Sequence, residues 1–115
     1  MKKRKLAKIE AELRQLRGSF SNIKSKTLKS LARRLGRERK AGFTNEPTYV
    51  RKHDPALSPP LSIPAHTILK PGTARNIVQM LLDDVDAWKE FIHLHGESEE
   101  SDDLDNASGD LDLDD

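Results

Sequence analysis

The chain of 115 residues has no cysteine, which excludes disulfides and thiolate metal sites and makes a reducing cytoplasm the expected compartment. Aromatics are scarce, with three Phe, one Tyr and one Trp, so the core must be small and largely aliphatic. No stretch approaches the roughly 20 apolar residues needed to span a bilayer, so no membrane is expected as a partner. Lys8, Glu10 and Glu12 interrupt any leader-like apolar region near the start. The sequence also lacks a P-loop, a Gly-x-Gly-x-x-Gly run, zinc-ligand spacing and any arguable Ser-His-Asp set. Those gaps leave no motif for a nucleotide, metal or other small-molecule cofactor, and none is expected.

Lysine and arginine are missing from residues 96–115, although that segment holds ten of the nineteen acidic residues. Residues 1–95 hold all twenty bases against nine acids, a surplus of eleven, so the net charge of +1 conceals two opposed halves. A basic body with an acidic tail points to a polyanion-binding surface and to something that competes for it. The bland alternative is that both charge sets only aid solubility.

Periodicity divides the chain into an N-terminal basic amphipathic helix (1–18), an α+β domain (19–95) and an acidic tail whose composition predicts disorder (96–115). Leu6, Ile9, Leu13 and Leu16 form a narrow stripe over residues 2–17, suited to covering a domain edge or pairing with another chain. A second helix is expected from Ser25 to Leu35, capped by Asn22 or Ser25 and stopped by Gly36. Arg37 to Phe43 reads as an ambiguous, charged strand and Pro47 to His53 as a better one, with Thr48, Tyr49 and Val50. The three prolines between Asp54 and Pro60 predict a connecting loop. Leu61, Ile63 and Ala65 then alternate with Ser62 as a third strand. Ile77, Val78, Leu81, Val85, Trp88 and Ile92 define a last helix over residues 73–93, with Thr73 as its cap after Pro71 and Gly72. Helices on one face of a small antiparallel sheet would bury these stripes.

The segment Leu61-Ser62-Ile63-Pro64-Ala65-His66, followed by Leu69-Lys70-Pro71-Gly72-Thr73-Ala74-Arg75-Asn76-Ile77, resembles the end of a HicA-family toxin domain. Ser30-Leu31-Ala32-Arg33-Arg34-Leu35-Gly36 resembles the end of that family's first helix, and the likeness covers residues 25–82. HicA toxins are small mRNA interferases of HicA/HicB toxin–antitoxin pairs. The resemblance therefore implies an α-β-β-β-α fold related to double-stranded-RNA-binding domains, cleavage of mRNA without a metal, and a HicB-like antitoxin as protein partner. One departure matters. The family's Gly-Ser-His motif at the start of the middle strand is replaced here by Thr44-Asn45-Glu46-Pro47-Thr48-Tyr49.

Cleavage of RNA needs a base for the ribose 2′-hydroxyl and cations for the charged phosphorane. Histidine suits the first role, since its unperturbed pKa is about 6.5. His66 matches the family's histidine after the third strand, and Glu46 falls closest to the missing one; these two are the candidate catalytic residues. A turn histidine bonded to backbone and a solvated loop glutamate are their bland counterparts. Lys70, Arg75, Arg51 and Lys52 are the candidate phosphate contacts, aided by Thr73 at the helix start. Tyr49 either stacks on a base or packs in the core. His53 beside Asp54 suits a surface role, and His93 and His95, two apart, do not share a helical face for a metal. The expected function is thus a HicA-like mRNA interferase, with a non-catalytic RNA-binding module on the same fold as the alternative. A third reading uses the leading helix as a zipper and the tail as a docking segment.

Overall fold

The computed structural model describes residues 1–40, 47–65 and 67–97. Its elements run α1 (Lys3–Leu16), α2 (Ser25–Arg34), β1 (Glu38–Lys40), β2 (Thr48–Arg51), β3 (Leu57–Ser62) and α3 (Pro71–His95). The strands form one antiparallel sheet in the order β1-β2-β3. The domain is therefore α+β, and α2 to α3 follow the α-β-β-β-α order. Among the described residues no helix is long and apolar enough to cross a membrane.

One continuous apolar cluster joins all three helices to the inner face of the sheet. α3 contributes Ile77, Val78, Leu81, Val85, Trp88 and Ile92, and α2 contributes Leu28, Leu31, Ala32 and Leu35. Tyr49, Leu57, Leu61 and Ile63 close it from the sheet side, while Glu38, Lys40, Lys52 and Ser62 stay exposed. α1 buries Leu6, Ile9 and Leu13 in the same cluster. Its stripe is thus covered within the chain rather than left for a zipper.

A polar clasp pins α1 to α3. Glu10 accepts from Lys89 of α3 at 2.9 Å and from Arg14 at 3.0 Å. These two cations, Lys89 first, hold its carboxyl below the usual glutamate range. A carboxyl lowered on folding stabilises the native state above its unfolded pKa, and that stabilisation disappears as pH falls through the folded value. The pair is solvent-exposed, so Glu10→Gln should cost under about 1 kcal/mol at pH 7. The difference from wild type should close in acid, as read by urea midpoints across pH. A constant difference down to the acid limit would rule out the clasp.

Three boundaries depart from sequence expectation. β3 begins at Leu57 and runs through Pro59 and Pro60, although three prolines predicted a loop. β3 is an edge strand, and between the pairs Tyr49↔Leu61 and Arg51↔Leu57 it spends four residues where β2 spends two. Prolines are accommodated in such an irregular edge because the missing amides have no ladder partner to lose. Ala65 lies past the strand and is exposed, so it does not continue the apolar face. Finally, α3 starts at Pro71 rather than Thr73, with Lys70 in the cap position and no side-chain cap bond. Proline's fixed φ suits the first helical residue, which leaves Thr73 inside the first turn instead of capping it.

α2 likewise has Lys24 at its cap position and no side-chain cap. Ser25 Oγ instead donates to the Pro64 carbonyl, and Asn22 sits in left-handed backbone at φ 61°. Gly36 ends α2 as expected, with φ at +96°. A Cβ there would also meet the Arg51 guanidinium at 2.5 Å, so the position needs glycine for both backbone and space.

Candidate nucleic-acid interface

The loop into α3 is tied to the start of α2. Leu69 N–H donates to Ile23 O at 2.9 Å and Ser25 N–H donates to Thr67 O at 3.1 Å, flanking an antiparallel bridge between Lys24 and Ile68. This short ladder holds two helix N-termini side by side. Each is preceded by a lysine, Lys24 or Lys70, and neither has an acidic residue in its first turn. The positive ends of two helix dipoles and two lysine ammonium groups therefore share one end of the domain. Lys70 and Arg75 are exposed there, and the Arg75 guanidinium lies 5.5 Å from the centre of the Phe20 ring.

From that end the positive charge continues along α2. Lys24, Lys26 and Arg34 line an open groove of about 500 Å³ between α1 and α2. Within it, Arg34 Nη1 donates to Glu12 at 2.7 Å. Arg34 also borders a second cleft of about 370 Å³, where Lys5, Arg33 and Arg51 gather around Trp88. The groove and the cleft thus form a cationic band that meets the helix starts at one end.

The candidate phosphate residues are split between places. Lys70, Arg75 and Thr73 lie at the start of α3, whereas Arg51 and Lys52 leave β2 toward opposite faces. Arg51 turns inward, its guanidinium 4.7 Å from the centre of the Trp88 ring. It donates to Pro55 O at 3.0 Å and Asp54 O at 2.9 Å. Arg51 therefore braces the loop after β2 while lining the second cleft. Lys52 emerges on the outer face, where its hydrogen bond and then its charge hold Lys40 below the ordinary lysine range.

Glu46 and His66 both lie outside the described residues. Tyr49 is fully buried, with Arg33 over its ring at 6.0 Å, so it packs in the core and offers no platform for a base. His53, His93 and His95 are exposed, and the His95 ring lies 4.6 Å from that of Phe91. Among the described residues no group of three or more His, Asp or Glu could hold a metal ion.

Two features went unanticipated. Arg37, 2% exposed, is locked to Asp84, with Nε to Oδ2 at 2.7 Å and Nη2 to Oδ1 at 3.0 Å. Its Nη1 donates to Tyr49 O at 2.9 Å and Pro59 O at 3.0 Å, filling the gap that the irregular β2–β3 register opens. The signal was present, since Asp84 falls within the apolar stripe of α3 between Leu81 and Trp88. The second is the cationic edge of α2 itself. Its helical spacing is readable from Lys26, Arg33 and Arg34, but its continuity with the α3 start depends on the Lys24–Ile68 bridge.

The site belongs to a small α+β domain with a cationic edge built on two paired helix starts. Compared with family models, curated proteins and solved structures, the chain has no match.

Proposed function

We propose that the protein is a HicA-like toxin that grips mRNA by its phosphates and cleaves it, with a HicB-like antitoxin as its partner. The observation that carries the RNA-binding part is the pairing of the α2 and α3 starts, with Lys24 and Lys70 at helix N-termini that have no side-chain cap and no acid in either first turn. Phosphates are the ligands that such helix dipoles and ammonium groups suit. The α2-β1-β2-β3-α3 order agrees with the resemblance of residues 61–77 to HicA domains. The mRNA cleavage and the antitoxin rest on that resemblance, with His66 and Glu46 as the residues to test for proton transfer.

A second reading is an RNA-binding module that does not cleave. It is favoured by the missing Gly-Ser-His motif and by the burial of Tyr49 just beyond it. Incubation of purified protein with single-stranded RNA separates the two. The toxin reading expects fragments that disappear in His66→Ala with binding retained. Intact RNA at saturating protein, with salt-dependent binding, selects the non-catalytic module. Absence of binding at low salt overturns both.

A further inference from the structure

The cleft beside Trp88 and the start of the acidic segment lie next to each other. α3 ends at His95, and two residues later the Glu97 carboxylate accepts a hydrogen bond from the Lys3 backbone N–H at 2.8 Å. α1 has no capping side chain of its own, so a residue 94 positions away supplies the acceptor at its N-terminus. A carboxylate there is stabilised by the orphan amides and by the helix dipole. The described chain therefore ends with Glu97 held at the N-terminus of α1, the helix whose Lys5 borders the cleft together with Met1.

The cleft and the segment match in charge and in apolar content. Lys5, Arg33, Arg34 and Arg51 border the cleft together with one lining carboxylate, Asp54, while Arg34 also meets Glu12 outside it, and Trp88 and Phe91 form its apolar wall. Residues 98–115 carry nine acids and no base, with Leu104, Leu111 and Leu113 set among them. Eighteen residues reach up to about 60 Å when extended, more than the 37 Å longest dimension of the body. Tethering supplies an effective concentration near the millimolar range, so individually weak ion pairs suffice to populate the contact.

We propose that the acidic segment 98–115 seats in the cationic cleft formed by Lys5, Arg33, Arg34 and Arg51 against Trp88, as an intramolecular occupant that any polyanionic ligand must displace. This seating does not depend on the ligand being RNA.

The composition of the chain makes the test direct. With no native cysteine and a single tryptophan, Ser108→Cys in the full chain takes one nitroxide label, and the Trp88 indole N–H gives one resonance. At low salt the label is expected to broaden that resonance away, and high salt should restore it. Restoration is also expected in two further full chains: one with the nine acids changed to Asn or Gln, and one with Arg33→Glu. The first leaves the folded body untouched, so it decides the matter if the second fails to fold. An indole resonance of undiminished intensity in the labelled wild type at low salt overturns the proposal. So does broadening that persists in the neutralised chain. Broadening of isotope-labelled protein by a separate, spin-labelled copy would assign the contact to a second molecule and overturn the intramolecular seating.

Discussion

Replacing Asp84 with alanine is expected to remove about 3–5 kcal/mol of stability, the usual cost of leaving a buried charge without its partner. Arg37 is 2% exposed and its guanidinium is held bidentately by Asp84. Arginine does not neutralise at accessible pH, so the truncated protein must hold an uncompensated cation in its core or open to admit water. Burial foremost, with the charge of neighbouring Asp83, holds the Asp84 carboxyl above its ordinary range against the opposing hydrogen bonds and charge of Arg37. Arg37→Met combined with Asp84→Leu removes both charges but takes the donor from the Tyr49 and Pro59 carbonyls, so it should cost less than Asp84→Ala, about 1–3 kcal/mol. Urea unfolding of Asp84→Ala and of the double variant checks this. An Asp84→Ala loss below about 1 kcal/mol would show that the pair is not closed off from water.

The pair also fixes architecture. Nη1 of Arg37 reaches the carbonyls of Tyr49 and Pro59, one on each side of the β2–β3 irregularity. It thereby supplies the hydrogen bonds that a regular ladder would have made. Loss of the Arg37–Asp84 pair is expected to loosen β3 before it disturbs the helices, because the apolar α1–α3 contact does not pass through it.

Trp88→Ala is expected to cost a similar amount, about 3–5 kcal/mol, through lost burial and the cavity left behind. Trp88 is 5% exposed, and its Nε1–H donates to Leu35 O at 2.7 Å. That carbonyl belongs to the C-terminal end of α2, where the helix leaves acceptors without internal partners. The ring also carries the Arg51 guanidinium on its face and the Phe91 ring, 5.8 Å away, against its edge. Trp88→Phe keeps an apolar ring and a platform for Arg51 but orphans the Leu35 carbonyl. Its loss should fall near about 1–3 kcal/mol. Calorimetric melting of both variants tests the order. A Trp88→Phe loss near zero would mean that the indole hydrogen bond contributes nothing, and equal losses would mean that the retained ring does not matter.

The helices were legible because each buries a clean stripe. In α3 the spacing of Ile77, Leu81, Val85, Trp88 and Ile92 is reproduced in the buried set, and Gly36 stops α2 in left-handed backbone. The sheet was less legible for a physical reason. Proline was read by its cost in a paired ladder, yet Pro59 and Pro60 sit where the ladder is interrupted. Thr73 was read as a cap from its residue type, but Pro71 starts the helix two residues earlier. Of the candidate contacts, Lys70 and Arg75 lie together at the α3 start. Alternation of side chains along β2 separates Arg51 from Lys52, and Trp88 draws Arg51 inward. The partnership of Lys24 with that start could not be read locally, since it depends on backbone bonds between residues over 40 positions apart.

The central claim is that the paired starts of α2 and α3 bind RNA phosphates, and the salt dependence of RNA binding tests it most directly. For a single-stranded oligonucleotide, log Kobs should fall linearly with log salt, and each phosphate contact removed should flatten the slope by about 0.7. The account predicts that Lys24→Gln and Lys70→Gln together reduce the slope by about 1.4 while the fold stays intact. A slope identical to wild type in the double variant would contradict it.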